Sequence, residues 1–141
     1  MSAAYLNVKK LKGLGKVLVA ARHNLREIQA ERGADASIDA SKSRLNVILA
    51  GPYEALKVAA LGDEAVTGKL RRDAVRAIEL LIGLPSSNAI DPVRFFTESL
   101  AWVREFFLAP VLSAVIHMDE AELHCHVLTW NARNPHDHAL H

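Results

Sequence analysis

Apolar residues recur along the chain with two periods, and the switches between them mark the elements. Ala3 to Leu11 reads as a short strand, punctuated by Gly13-Leu14-Gly15. Leu14, Val17, Leu18, Ala21, Leu25 and Ile28 then follow at three- and four-residue steps, the stripe of an amphipathic helix that runs to about Glu31 and is closed by Gly33. If that helix is unbroken, His23 lies opposite the stripe and faces away from whatever the stripe packs on. Residues 33 to 44 predict a polar loop, followed by a strand at Leu45 to Leu49 and a helix at Tyr53 to Leu61. After a break at Gly62 to Gly68, the alternation of Ile78, Leu80, Ile82 and Leu84 predicts a strand over Ala74 to Leu84, with helix competing. Pro85-Ser86-Ser87-Asn88 is a turn, and Asp91-Pro92 opens a helix through Phe107 whose core stripe is Phe95, Phe96, Leu100, Val103 and Phe107. Val111 to Ile116 and Val127 to Trp130 are apolar runs flanking the acidic turn Asp119 to Glu122, which predicts a hairpin. The expected order is strand, helix, strand, helix, strand, helix, strand, strand.

The hairpin carries the strongest chemical signal. His117, Glu120, His124 and His126 stand at metal-ligand spacing. If the turn centres between Glu120 and Ala121, His117 falls opposite His124 with β-carbons about 4.5 to 5.5 Å apart. His124 and His126 share a face and Cys125 points to the other. Three imidazoles then converge, and Glu120 adds an oxygen that widens the choice from zinc toward manganese, magnesium or another divalent ion.

Composition narrows the surroundings. The chain has 141 residues, half of them apolar, enough for one core. Cys125 is the single cysteine, so no internal disulfide forms. No apolar stretch approaches the roughly 20 residues of a membrane span, and no leader pattern precedes the first strand, which together predict a reduced cytoplasmic protein. The net charge of +1 conceals an asymmetry. Residues 1 to 33 hold seven Lys or Arg against Glu27 and Glu31, whereas the segment from Glu79 onward holds three arginines against eight acids. A polyanion gripped by the first half would be presented to a cation held in the second. In the first helix, His23 and Arg26 stand three residues apart within this basic part, a pair able to attack and clamp a phosphate.

His23-Asn24-Leu25-Arg26-Glu27 and, about a hundred residues later, the run from His117 to His126 together resemble the Mob/Pre family: MobV-type plasmid mobilisation relaxases, or plasmid recombination enzymes, of the HUH endonuclease class. The likeness is collinear and takes in Lys10-Leu11-Lys12, the polar stretch from Ile38 to Asn46, and Arg71-Arg72-Asp73-Ala74-Val75. It implies an α+β fold with an antiparallel central sheet flanked by helices, and places His124-Cys125-His126 on a central strand. The implied activity is DNA nicking and strand transfer at a plasmid transfer origin through a covalent 5′-phosphate intermediate, with Mn2+ or Mg2+ as the ion and Zn2+ as an alternative. His117, Glu120, His124 and His126 match the family's ligands, His23 its nucleophilic histidine and Arg26 the arginine beside it. With the charge pattern, Lys10, Lys12, Arg22, Asn24 and Arg44 become the expected contacts to single-stranded or hairpin DNA.

The chain departs from the family pattern in three places. Val47 stands where the family has a tyrosine after Leu-Asn, and neither Tyr5 nor Tyr53 lies in a matching motif. Glu122-Leu123 replaces the usual Thr-Pro before the second metal histidine, which predicts a looser, more acidic turn. The chain stops at His141 where relatives continue. Residues 1–130 are therefore expected to form a relaxase-like catalytic domain truncated at its C-terminal side, with homo-oligomerisation residing in the missing region. Residues 131–141, whose His136-Asp137-His138 repeats the His-x-His pattern around an acid and after Pro135, are expected to be a disordered or non-native tail. The alternatives are a catalytically inactive DNA-binding remnant and an unrelated metal-binding module.

Overall fold

The computed structural model describes residues 4–27, 40–64, 75–84, 89–107, 109–120 and 122–130. Its elements are β1 (Tyr5–Lys12), α1 (Leu14–Asn24), a 3-10 helix (Ala40–Leu45), β2 (Val47–Ala50), α2 (Ala55–Glu64), β3 (Val75–Gly83), α3 (Pro92–Phe107), β4 (Val111–His117) and β5 (His124–Trp130). The five strands form one sheet in the order β1-β3-β5-β4-β2, every pairing antiparallel. β5 is central and β4 lies next to it, as the family resemblance implies, and β1 and β2 are the edges.

Each face of the sheet is covered differently, because successive side chains alternate across it. α3 covers one face: Phe96, Leu100 and Val103 pack on Leu80, Ile82, Ala114, Ile116, Cys125 and Val127. Asp91 caps this helix by accepting from the Val93 amide at 3.1 Å, and Pro92 occupies the first helical position. On the other face, Val17 and Ala21 of α1 and Ala55 and Val58 of α2 pack on Leu11, Ala77, Leu112 and Leu128. β3 is covered on both sides, which is why its alternation blurs into an apolar run that also suits a helix.

Three boundary differences bear on the site. The second strand starts at Val47, two residues late, because Leu45 ends the 3-10 helix and the Asn46 side chain is drawn off to accept from the Met118 amide at 2.6 Å. The next helix starts at Ala55, where the Glu27 carboxylate accepts from the Ala55 amide at 2.8 Å and caps the positive helix end.

The largest difference is in α1, which stops at Asn24. Arg26 adopts a left-handed conformation with φ 59, the Glu27 amide donates to the Arg22 carbonyl (2.8 Å) and the Arg26 amide to the His23 carbonyl (3.1 Å). This is a Schellman ending with arginine where glycine is usual. A non-glycine residue there costs roughly 1–2 kcal/mol. The expected continuation to Glu31, the stop at Gly33, the turn at 85–88 and the tail from 131 onward fall at least partly outside the described residues.

Candidate metal centre and nucleophile

Cross-strand register assembles the site. His117 pairs with His124, so their side chains leave the same face, and His126 lies two residues along. The ring centroids are 5.3 Å apart for His117–His124, 4.4 Å for His117–His126 and 5.0 Å for His124–His126. One ligand atom from each of the three lies within 4.8 Å of the others. Cys125 is fully buried on the α3 face, and burial pushes its thiol up to about 12.

Hydrogen bonds to acceptors fix which nitrogen of each ring carries the lone pair. His117 Nε2 lies 2.8 Å from the Asn24 carbonyl and His124 Nδ1 lies 3.0 Å from the Glu122 carbonyl. A carbonyl only accepts, so both ring nitrogens are donors, and the lone pairs are on His117 Nδ1 and His124 Nε2. His126 Nδ1 meets the Glu79 carboxylate at 3.2 Å, which leaves Nε2 unprotonated. Glu120 Oε1 stands 3.6 Å from His117 Nδ1 and 3.2 Å from His124 Nε2. Atoms ligating one ion at about 2.1 Å are separated by roughly 3 to 3.5 Å, so the donor set fits a divalent cation.

Electrostatics keep these groups in ligating form. Burial lowers the His124 pKa and takes His126 to about 4, so both rings are neutral at pH 7. Burial by itself would raise Glu120, but the His117 ring and the Arg26 guanidinium outweigh it and hold the carboxyl at about 2. Glu79 is likewise lowered despite its burial, chiefly by His126 and by Asn24, whose amide donates to Oε2 at 2.9 Å.

His23 joins this cluster. Its ring centroid lies 6.2 Å from His117, nearly parallel, and 5.9 Å from His126. The expectation that it faces away from the sheet is thereby corrected. That expectation assumed an unbroken helix with Leu25 and Ile28 in its stripe, whereas the helix ends at Asn24 and buries Val17, Ala21 and Asn24, which turns its last turn toward the histidines. Burial, then the Arg26 charge, lowers the His23 pKa, and its Nδ1 is buried without a hydrogen-bond partner.

Arg26 enters from the left-handed turn. Its Nε and Nη2 each donate to Asp119 at 2.8 Å, a bidentate pair, and Nη2 also reaches Glu120 at 2.7 Å and His117 Nδ1 at 3.1 Å. Asp119 is fully buried and accepts further from Ser43 (2.7 Å) and Asn46 (3.0 Å), and these contacts hold its carboxyl well below the usual carboxylate range against the opposing effect of burial.

Of the expected DNA contacts, Lys12 lines an open groove of about 880 Å3 between β1 and α1, together with Lys9, Lys16, His23, Glu79 and His126. Two of the expected contacts lie away from this groove or are buried beside it. Leu11 faces the α1 side, so strand alternation puts Lys9 beside it and sends Lys10 toward the α3 side. Asn24 is buried and serves as scaffold, its amide on Glu79 and its carbonyl on His117. Arg22 is half-buried in the last turn of α1 and Arg44 is exposed on the 3-10 helix. Leu123 is anchored at the end of the turn: the Leu84 amide donates to its carbonyl at 3.0 Å, and its side chain packs against the α3-side core.

Glu79, Asp119 and Asn46 were not among the residues expected at the site. Glu79 was detectable, since a lone acid in the apolar run from Ala77 to Ile82 needs a buried partner. Asp119 was indistinguishable from an ordinary turn acid.

A central antiparallel strand carrying His-x-His, a third histidine across the hairpin and a histidine–arginine helix end beside them form the arrangement that the resemblance to the Mob/Pre family implies. The profile of Mob_Pre, the plasmid recombination enzymes, matches residues 1–138, and the chain belongs to this family. Among solved structures, the Mn-bound MobM relaxase domain (MOBV; Mob_Pre) in complex with plasmid pMV158 oriT DNA superposes with TM-score 0.78 at 22% identity in one crystal form, covering 96% of this chain and 73% of that one. A second, at pH 5.5, gives 0.75 at 21% with the same coverage. A structure described as the molecular basis of vancomycin resistance transfer in Staphylococcus aureus gives 0.52 at 17%, covering 92% and 70%. At these identities the likeness is one of fold. No curated protein sequence matches the chain. Among the described residues no helix is long and apolar enough to cross a membrane.

Proposed function

We propose that this chain nicks and rejoins one DNA strand at a plasmid transfer origin, with His117, His124, His126 and Glu120 holding a divalent ion and His23 as the nucleophile. The observation that carries this reading is that His23 lies within 6.2 Å, centroid to centroid, of two of the three rings whose ligand atoms lie within 4.8 Å of one another. Three imidazoles with one carboxylate suit manganese or zinc better than the oxygen-loving magnesium, and manganese is the ion of the MobM structures. When bound, the ion polarises the scissile phosphate and stabilises the charge that develops on its oxygens.

The chain's own groups supply the rest. Lys9, Lys12 and Lys16 draw the DNA backbone into the groove that ends at His126. Asp119 holds the Arg26 guanidinium rigid, aimed at the phosphate position beside His117. The neutral His23 imidazole attacks phosphorus, the phosphorus–O3′ bond breaks, and the 3′ oxygen leaves and takes up a proton. A phosphorus–nitrogen bond to the 5′-phosphate conserves the energy of the broken ester, so a 3′-hydroxyl reverses the step without another energy source.

The test is incubation of an origin-bearing single strand with the chain and manganese. The expected product is an acid-labile protein–DNA adduct mapped to His23, abolished by His23→Ala with metal affinity unchanged. An adduct that persists in that variant and is lost on changing Tyr5 or Tyr53 to phenylalanine overturns the assignment of the nucleophile.

A further inference from the structure

Tyr5, on the edge strand β1, has no part in the chemistry above. In the register of the sheet Tyr5 pairs with Gly83, Gly83 with His124 and His124 with His117, so all four positions lie in one row on the same face. Gly83 is a missing side chain in that row, and the Tyr5 ring fills its space. A β-carbon at position 83 would fall on ring atoms Cε1, Cζ and Cδ1 of Tyr5, and these are its nearest neighbours. The phenol end therefore lies over β3, one strand spacing of about 4.8 Å from the strand of His124. Burial first, then the charges of Glu122 and Glu120, raises the phenol pKa, consistent with a hydroxyl reaching toward the acidic turn. Yet 38% of the residue remains exposed. An aromatic ring seated on a glycine floor and open above offers a flat surface with little freedom to lose.

Tyr5, Asn7 and Lys9 alternate along the same edge-strand face, all exposed, and lead from the histidines to the basic groove. A single strand following the lysines, with its phosphate at the histidines, passes over Tyr5.

We propose that Tyr5 is a stacking platform for a nucleobase next to the scissile phosphate, a positioning residue that sets which phosphate reaches the ion and His23. This rests on the nicking function proposed above. Stacking on an aromatic ring is sequence-tolerant and its loss weakens binding roughly five- to a hundredfold. The hydroxyl is not required for it.

The test uses a short single strand of 5-iododeoxyuridine, whose bases cross-link under long-wave ultraviolet light to aromatic rings they stack on, followed by peptide mapping. The expected cross-link is on Tyr5. Tyr5→Phe should retain it together with wild-type affinity and nicking, and Tyr5→Leu should weaken binding by the factor above and scatter the nick position. Gly83→Ala, whose added methyl has the Tyr5 ring as its nearest neighbour, should reproduce the leucine variant, and combining the two should add little. Strong DNA binding with no Tyr5 cross-link, or equal losses in the phenylalanine and leucine variants, overturns the platform while leaving the relaxase reading intact. Absence of binding to any single strand overturns both.

Discussion

The two faces of β5 place neighbouring residues in opposite kinds of surroundings. Cys125 sits among Leu80, Phe96 and Ile116 under α3, while His124 and His126 on either side meet Glu120, Glu79 and His117. Both environments are largely buried. Burial drives the thiol up to about 12 and the His126 imidazole down to about 4, so each side chain is held neutral. On the α3 face that neutrality is inert packing. On the α1 face the neutral rings have one nitrogen anchored by a hydrogen bond and the other carrying a lone pair, and the same desolvation prepares them to bind an ion. Alternation along a single strand thus separates stability from chemistry by one residue.

That separation can be broken or sharpened in order of expected effect. His124→Ala should lower metal affinity at least hundredfold and abolish nicking, while the fold persists by circular dichroism. Phe96→Ala should do the reverse, costing about 3–5 kcal/mol in denaturant unfolding with metal affinity of the folded fraction unchanged. Asp119→Ala should blur the two, because it strands Arg26 in a buried position: about 3–5 kcal/mol of stability should be lost along with nicking. Glu79→Gln keeps the hydrogen-bonded shape around His126 but removes the charge, and a 10- to 100-fold loss of metal affinity by calorimetry is expected. Equal metal affinity in that variant would argue that Glu79 merely packs.

The pH dependence follows from the same shifts. The folded pKa values of His23, His124 and His126 lie below the ordinary 6.5, so below 6.5 the unfolded chain binds more protons than the folded one. Stability without metal should be full above pH 6.5 and fall as pH drops toward about 4, read as Tm in the presence of a chelator. Asp119, depressed in the folded state, adds a second loss only below about pH 4. The smallest expected effect is at Cys125, which should resist thiol reagents until the protein unfolds and whose replacement by alanine should leave metal affinity unchanged.

The hairpin was legible because its geometry is local: a four-residue turn and a period of two suffice to oppose His117 and His124 and to turn Cys125 away. The same holds for Asp91-Pro92 at the start of α3. The orientation of His23 was not legible, since nothing between Leu14 and Ile28 announces a stop at Asn24. Glycine would have done so, but the residue in the left-handed position is Arg26. The contacts that hold it there come from Asp119, itself fixed by Ser43 and Asn46, and no periodicity within a single element encodes a contact between residues so far apart.

Arg26 makes the end of a helix conditional on the opposite end of the polypeptide. The carboxylate that stabilises its backbone turn is 93 positions away, so a chain that has not yet formed the hairpin has only local preferences to obey, and these favour helix through arginine. In that state the turn of helix bearing His23 has no reason to swing toward the other rings. His23 and the hairpin histidines therefore come into register only once β4 packs against the end of α1, and a partly assembled molecule holds the two halves of the cluster apart.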